Sequence, residues 1–238
     1  MKARFVSALV LLSCLASTGP ANANMWEDIA AYRNDILYLS VQHIELVAIS
    51  SALALIVAIP LGVWMSRPSQ NRFALPALQL LNVGQAVPKL ALLALAMSFA
   101  GLGAPAAIFG LWVATLLPVA VNTYEGLRAV PRPLIEAAEA MGMTPRQILW
   151  RVELPNALYV IFAGVRIAVA INVGTAPLAF LIGGGGLGEL IFTGIDLNDM
   201  GMMLAGAMST ALLAVAADLL CGQAQYWLVS RGVRPRRA

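Results

Sequence analysis

The sequence predicts an all-α, polytopic membrane protein with five core spanning helices. Three observations carry this. Of 238 residues, 60% are hydrophobic and only 11% are charged, whereas a soluble domain carries about 25% charged residues, so a water-facing surface could not be covered. Apolar runs of about 20 residues, the length needed to cross a bilayer, recur along nearly the whole chain. Most of the basic residues fall between these runs, in regular alternation. The length suits one compact membrane domain, taken as 24–238, with no room for a separate soluble catalytic domain.

The elements follow in order. Lys2 and Arg4 precede an apolar run at 5–16 and a small-residue stretch, Ala21-Asn22-Ala23. That layout fits a secretory signal peptide at 1–23. Two alternatives stay open: Met25 as the true start after a mis-called extension, and an uncleaved anchor. Between 24 and 40, Met25, Trp26, Ile29, Tyr32, Ile36 and Leu37 recur at helical spacing, so this segment is expected to lie along the outer interface. Five spans are expected at about 41–65, 74–100, 104–124, 157–182 and 202–228. Pro60, Pro88, Pro118 and Pro177 lie inside them. Each removes a backbone hydrogen bond and invites a kink, to line a pathway or simply to shape the helix.

The arginines orient the spans. Arg67 and Arg72 lie between the first and second. Arg128, Arg132, Arg146 and Arg151 lie between the third and fourth, and Arg231, Arg234, Arg236 and Arg237 follow the fifth. These are ten of the fifteen basic residues. The remaining connections, 101–103 and 183–201, carry no Lys or Arg, and the second carries Glu189, Asp196 and Asp199. By the positive-inside rule the arginine-rich side is cytoplasmic, which places the segment before the first span outside.

The long cytoplasmic connection, 125–156, carries the sharpest signal. Pro131 and Pro133 open a helix. The stretch from Leu134 through Glu136, Ala137 and Ala138 to Met141 favours it, and Gly142 stops it. Thr144, Pro145 and Gln147 then form the cap, first position and capping box of a second helix, whose Ile148, Leu149 and Val152 recur at helical spacing. Leu154-Pro155 is expected to end it at the membrane. The small side chains leave a slim helix that could enter a groove on another protein. From the residues alone, docking and a purely structural surface hairpin are both open.

The pattern Glu136-Ala137-Ala138, three residues, Gly142, nine residues, Val152-x-Leu154-Pro155 resembles the EAA loop of ABC importer permeases. It departs from the family pattern only in Val152, where isoleucine is usual. Asn122 to Arg128, Ile182 to Phe192, Gly164-Val165-Arg166 and Ala217 to Leu220 are similar to permeases of osmoprotectant importers. The resemblance covers about residues 38–228. It implies the type I ABC importer fold, methionine-permease-like, in a bacterial cytoplasmic membrane. It implies that Glu136, Ala137, Ala138, Gly142, Val152, Leu154 and Pro155 couple the chain to a cytoplasmic ATPase subunit, which would bind the ATP. A second permease, identical or similar, and an extracytoplasmic solute-binding protein would complete the importer. Its solutes would be glycine betaine, choline, carnitine or related compounds. Methionine and phosphonate permeases share the EAA loop, so another small solute such as an amino acid remains an alternative.

Other residues are weighed against this. Gly183, Gly185 and Gly188 satisfy G-x-G-x-x-G, but they end a membrane span rather than follow a strand of a soluble βαβ unit, so a dinucleotide site is rejected. With Gly186 they are expected as flexible backbone near the external mouth, or as a plain loop. No G-x-x-x-x-G-K-[ST] occurs. Arg166 and Asp218, each about ten residues from the inner end of its span and so roughly 15 Å deep, are expected to pair, or else to serve the pathway. Lys89 and Glu45 are expected to pair nearer the outer face. Lys89 stands where the resembling permeases usually have a small polar residue, and an unpaired cation there would oppose a cationic solute. His43, the sole histidine, is expected at the outer edge of the first span. No catalytic triad, carboxylate dyad, metal cluster or nucleic-acid site can be assembled, and Cys14 and Cys221 read as packing residues. A secondary transporter or channel would show mid-membrane relay carboxylates or inverted repeats; neither is evident. A membrane scaffold would leave the EAA loop unexplained.

Overall fold

The computed structural model describes residues 30–67 and 71–229. The signal-like stretch 1–23 and the four arginines after the fifth span lie outside the described residues. Helix α1, Arg33–Met65, runs unbroken through Pro60. At about 1.5 Å per residue its 33 residues span roughly 50 Å, well beyond a hydrocarbon core of about 30 Å. Residues 33–40, expected to lie flat on the membrane surface, instead continue the first span. The reason is a protein partner: Tyr32, Ile36 and Leu39 pack against Leu187 and Leu190 of a later helix.

The second span is not one helix. It divides into α2, Asn71–Ala86, and α3, Lys89–Ala100, bent by 98°. Pro88 lies at the break and caps α3 with an extended backbone, φ −53° and ψ 132°. It has no N–H to continue the ladder, and the residue before a proline is pushed out of the helical region. Helix α4, Ala104–Arg128, follows a two-glycine turn. Then come α5, Arg132–Ala140, the short α6, Pro145–Ile148, and a π-helical turn, Leu149–Glu153. The π turn leads directly into α7, Leu154–Thr175. A 3₁₀ turn, Ala176–Ile182, with Pro177 near its start, completes the fourth span. Helix α8, Gly188–Asp196, and helix α9, Met200–Leu228, finish the described chain. Four helical stretches are long and apolar enough to cross a membrane, five counting the bent pair.

Helix α4 is the hub. Helices α1, α2, α3 and α7 all pack on it, and its own small residues, such as Ala106, Ala107, Ala114 and Ala120, are fully buried. Lipid supplies little hydrophobic drive for helices to associate, so contact area and backbone proximity matter most. A Cβ at Gly62 of α1 would stand 2.5 Å from Thr123 Cβ and 2.8 Å from the Ala120 carbonyl oxygen. At Gly164 of α7 it would stand 2.5 Å from Asn122 Cβ and 2.6 Å from the Pro118 carbonyl oxygen. The two helices are thus seated on α4 almost backbone to backbone. A buried polar cluster adds direction: Asn172 of α7 donates to Ser50 Oγ and Ser51 Oγ of α1, each at 2.8 Å.

The two ends of the bundle separate as the arginines require. Arg67 after α1 meets Glu153 before α7 at one end. At the other, the Gly103 N–H donates to the Ile182 carbonyl at 2.8 Å, joining the turn before α4 to the end of the fourth span. There too Asp199 caps α9 by accepting from the Met202 N–H at 2.9 Å. Tyr32 Oη donates to Asp199 Oδ2 at 2.6 Å. That hydroxyl first, and the Met202 N–H second, hold the Asp199 carboxyl below its usual range.

The close approach at Gly164 makes a direct prediction. Gly164→Val forces two helix backbones apart, and overpacking of this kind costs about 1–3 kcal/mol. Thermal unfolding in detergent should show a clear drop for Gly164→Val. Gly174→Ala, where a Cβ meets nothing within 4 Å, should leave the midpoint unchanged or slightly raised. Equal midpoints for the two variants would contradict the seating of α7 on α4.

Candidate functional site

The hairpin α5–α6, at the arginine-rich end of the bundle, is built by local rules. Its turn is a Schellman motif: the Met143 N–H donates to the Ala138 carbonyl at 3.1 Å and the Gly142 N–H to the Glu139 carbonyl at 2.9 Å. Gly142 has φ +77°, a left-handed conformation that costs other residues about 1–2 kcal/mol. The space around it is open: a Cβ added there would meet nothing within 4 Å. Thr144 and Gln147 form the reciprocal capping box that opens α6. Helix α5 touches the rest of the chain chiefly through α6 and the π turn. Ala138 is buried there, while Glu136, Ala137 and Gly142 are exposed and Met141 is 75% exposed. The hairpin therefore presents a slim, partly apolar ridge.

Leu154-Pro155 does not end the second helix. The chain runs on helically, because the π turn relieves the proline. The Leu154 N–H bonds to the Leu149 carbonyl, five residues back. The wider turn moves the carbonyl that a Pro155 ring would strike in a regular α-helix. Val152, at the position where isoleucine is usual, lies in this turn and is half-buried.

At the opposite end the glycines form a tight corner. Gly183, Gly185 and Gly186 have φ of +76°, +76° and +86°. The 3₁₀ turn is closed by the Gly184 N–H on the Ala179 carbonyl at 2.8 Å and the Gly183 N–H on the Phe180 carbonyl at 2.9 Å. The Gly186 N–H donates to Gln42 Oε1 of α1 at 3.1 Å. Gly188 opens α8 so close to the chain that a Cβ would lie 1.9 Å from the Pro177 carbonyl oxygen. Instead of a plain loop, 183–201 holds a helix packed along α9. Gln42, Glu45, Ala104, Ile108 and Gly183 help to line a polar cavity of about 320 Å³ beside this corner.

Of the intramembrane charges, Arg166 and Asp218 come together. The guanidinium grips the carboxylate through Nε at 3.0 Å and through one terminal nitrogen at 2.7 Å to both oxygens. Gln225 extends the network, accepting from Arg166 at 3.5 Å and donating to the Tyr159 carbonyl at 3.1 Å. Lys89 and Glu45 do not pair. After the break at Pro88, α3 packs chiefly on α4 and the 3₁₀ turn, and Glu45 of α1 lines the polar cavity without reaching Lys89. His43 lies at the glycine corner but faces the bundle interior. It is 1% exposed, beneath Gly186, with Nε2 3.2 Å from the Val173 carbonyl oxygen.

Two features escape a reading of the sequence by apolar runs and charges. Asn172, Ser50 and Ser51 are polar residues in apolar runs, and that polarity is the signal that could have found them. Glu153 occupies the unspecified position of Val152-x-Leu154-Pro155, and Arg67 informs the sequence reading only on orientation. Among the described residues no group of three or more His, Cys, Asp and Glu side chains is placed to hold a metal.

Comparison with known proteins agrees with this geometry. Residues 58–234 match the family described as binding-protein-dependent transport system inner membrane component. The chain is 53% identical to an osmoprotectant import permease protein, OsmY, of Salmonella typhimurium, over 82% of each chain. It is 42% identical to a carnitine transport permease protein, OpuCD, of Listeria monocytogenes, over 76% of this chain and 81% of the relative. With a choline transport system permease protein, OpuBB, of Bacillus subtilis it shares 36% identity, over 84% and 91%. Its fold matches an inward-facing structure of the MetNI methionine ABC transporter with a TM-score of 0.73 at 23% identity, covering 88% of this chain and 99% of that one.

The Arg166–Asp218 pair generates a second prediction. Asp218→Leu leaves a guanidinium unpaired within the membrane, a loss of about 1–3 kcal/mol. The double variant Arg166→Met/Asp218→Leu removes both charges and should recover part of the unfolding midpoint. A double variant no more stable than Asp218→Leu would show that the two side chains are energetically independent.

Proposed function

The chain belongs to the family of binding-protein-dependent transport system inner membrane components, and from that premise we propose that it is the permease subunit of an ATP-driven importer of osmoprotectants such as glycine betaine. The observation that carries the reading is the α5–Gly142–α6 hairpin, a sharply capped ridge standing free at the arginine-rich end of the bundle. Its sequence carries the spacing of a coupling loop. The solute class is supported by the relatives named for osmoprotectant, carnitine and choline transport.

In this reading the chain works mechanically and makes or breaks no bond. Two permeases, identical or similar, enclose a pathway in a bacterial cytoplasmic membrane. Each seats the exposed Glu136, Ala137 and Gly142 in a cleft of a cytoplasmic ATPase subunit, which binds ATP, while Ala138 packs the hairpin from within. An extracytoplasmic protein delivers the solute to the external end, where Gly183, Gly185, Gly186 and Gly188 shape the corner beside the cavity. ATP binding draws the ATPases together, moves the hairpins and turns the pathway outward; hydrolysis resets it. A carrier that needs no ATPase is not favoured, because the family match takes in the whole hairpin.

The test is uptake of labelled glycine betaine by cells at high osmolarity, with wild type compared with Gly142→Val. A β-branched residue at positive φ is strongly disfavoured. Membrane levels should hold, while a penalty of about 1–2 kcal/mol at the turn predicts an uptake drop of roughly tenfold. Chain-dependent uptake that survives the substitution would refute the coupling role. No chain-dependent uptake of glycine betaine, choline or carnitine would refute the solute class.

A further inference from the structure

We propose that Glu153 is the positioning residue that carries the stroke of the coupling hairpin into α1, through its ion pair with Arg67; the inference rests on the function proposed above. Glu153 closes the π turn, which follows α6 without an intervening loop. A displacement of the hairpin therefore reaches Glu153 through continuous helix. The residue is only 8% exposed, and its Oε2 lies 2.8 Å from a terminal nitrogen of Arg67. A buried carboxylate without a cation at this place would be costly, so the pair holds under load where apolar contacts would slide.

Arg67 is itself anchored to the end of α1. Its Nε donates to the Val63 carbonyl at 3.3 Å and to Ser66 Oγ at 3.2 Å, and a terminal nitrogen donates to Ser66 Oγ at 3.0 Å. A pull on the guanidinium is a pull on the last turn of α1. An apolar cleft of about 590 Å³ opens along the seam where these segments pack, lined by Pro60 and Trp64 from α1 and by Leu149, Trp150 and Pro155 from the other side. The cleft leaves room for the segments to move relative to one another. Both walls carry a proline, and one carries the π turn, where helices bend most easily. Bendable walls bridged by this ion pair, a charge contact rather than an aligned hydrogen bond, form a lever: the pair ties one point, and the helices flex around it.

The test uses the complete importer in proteoliposomes, with ATP hydrolysis and glycine betaine uptake measured together. Glu153→Gln keeps the shape and removes the charge. The variant should reach the membrane and retain its ATPase subunit, but should consume about fivefold more ATP per solute, the lower end of typical coupling effects. Arg67→Glu should do the same, and the exchange Arg67→Glu/Glu153→Arg should bring the ratio most of the way back. A merely structural role would lower thermal stability and uptake together and leave the ATP-to-solute ratio alone. An unchanged ratio in Glu153→Gln, or no recovery in the exchange variant, overturns the inference while wild-type uptake stands. Absence of ATP-driven uptake of any quaternary ammonium solute in wild type overturns the functional reading, and this inference with it.

Discussion

Everything in this bundle depends on how closely its helices approach α4. Gly62 and Gly164 bring α1 and α7 to separations at which a single added carbon would strike neighbouring backbone. In lipid this proximity replaces the hydrophobic drive that assembles soluble helices. It also makes the packing intolerant of small shifts, so each helix moves largely as a unit. The helical ladder is interrupted at Pro88, between α2 and α3, and widened at the π turn before α7, the kinds of place where helices bend.

The buried polar groups act as pins within that apolar packing. Asn172 on the two serines of α1 and Arg166 on Asp218 each connect two spans by bonds that have direction. Close packing alone would let a helix rotate about its own axis at modest cost. A side-chain amide with donors and acceptors to place does not permit this. The first pin joins α1 to α7 and the second joins α7 to α9, so both faces of α7 are held in register.

Much of this is legible from the residues, for identifiable reasons. Span count and the sorting of loop arginines to one end of the bundle follow from apolar runs and charge, which the bilayer constrains directly. The α5–Gly142–α6 turn follows from local capping chemistry, which depends on residues three or four apart. Features set by distant residues are not legible. Nothing near Ser40 says that the first helix runs on to meet Leu187 and Leu190. A Lys89–Glu45 pair requires a straight second span, and the 98° bend removes the geometry it needs. In the glycine-rich connection the close approach of Gln42 to Gly185 and of Pro177 to Gly188 is set by residues outside that connection. Glu153 is hidden because a π turn leaves no mark in periodicity over five residues.

The π turn has one more consequence. It inserts the equivalent of one residue into an otherwise continuous helix, and one residue amounts to about 100° of rotation. The stretch before it and the stretch after it are therefore out of phase. Ile148 turns inward at the level of the α5–α6 hairpin, while Ala157, Ile161 and Gly164 turn inward on α7. A regular helix could not satisfy both stripes at once. The extra residue works as a gear offset, letting one unbroken rod face the aqueous hairpin along one line and the membrane bundle along another.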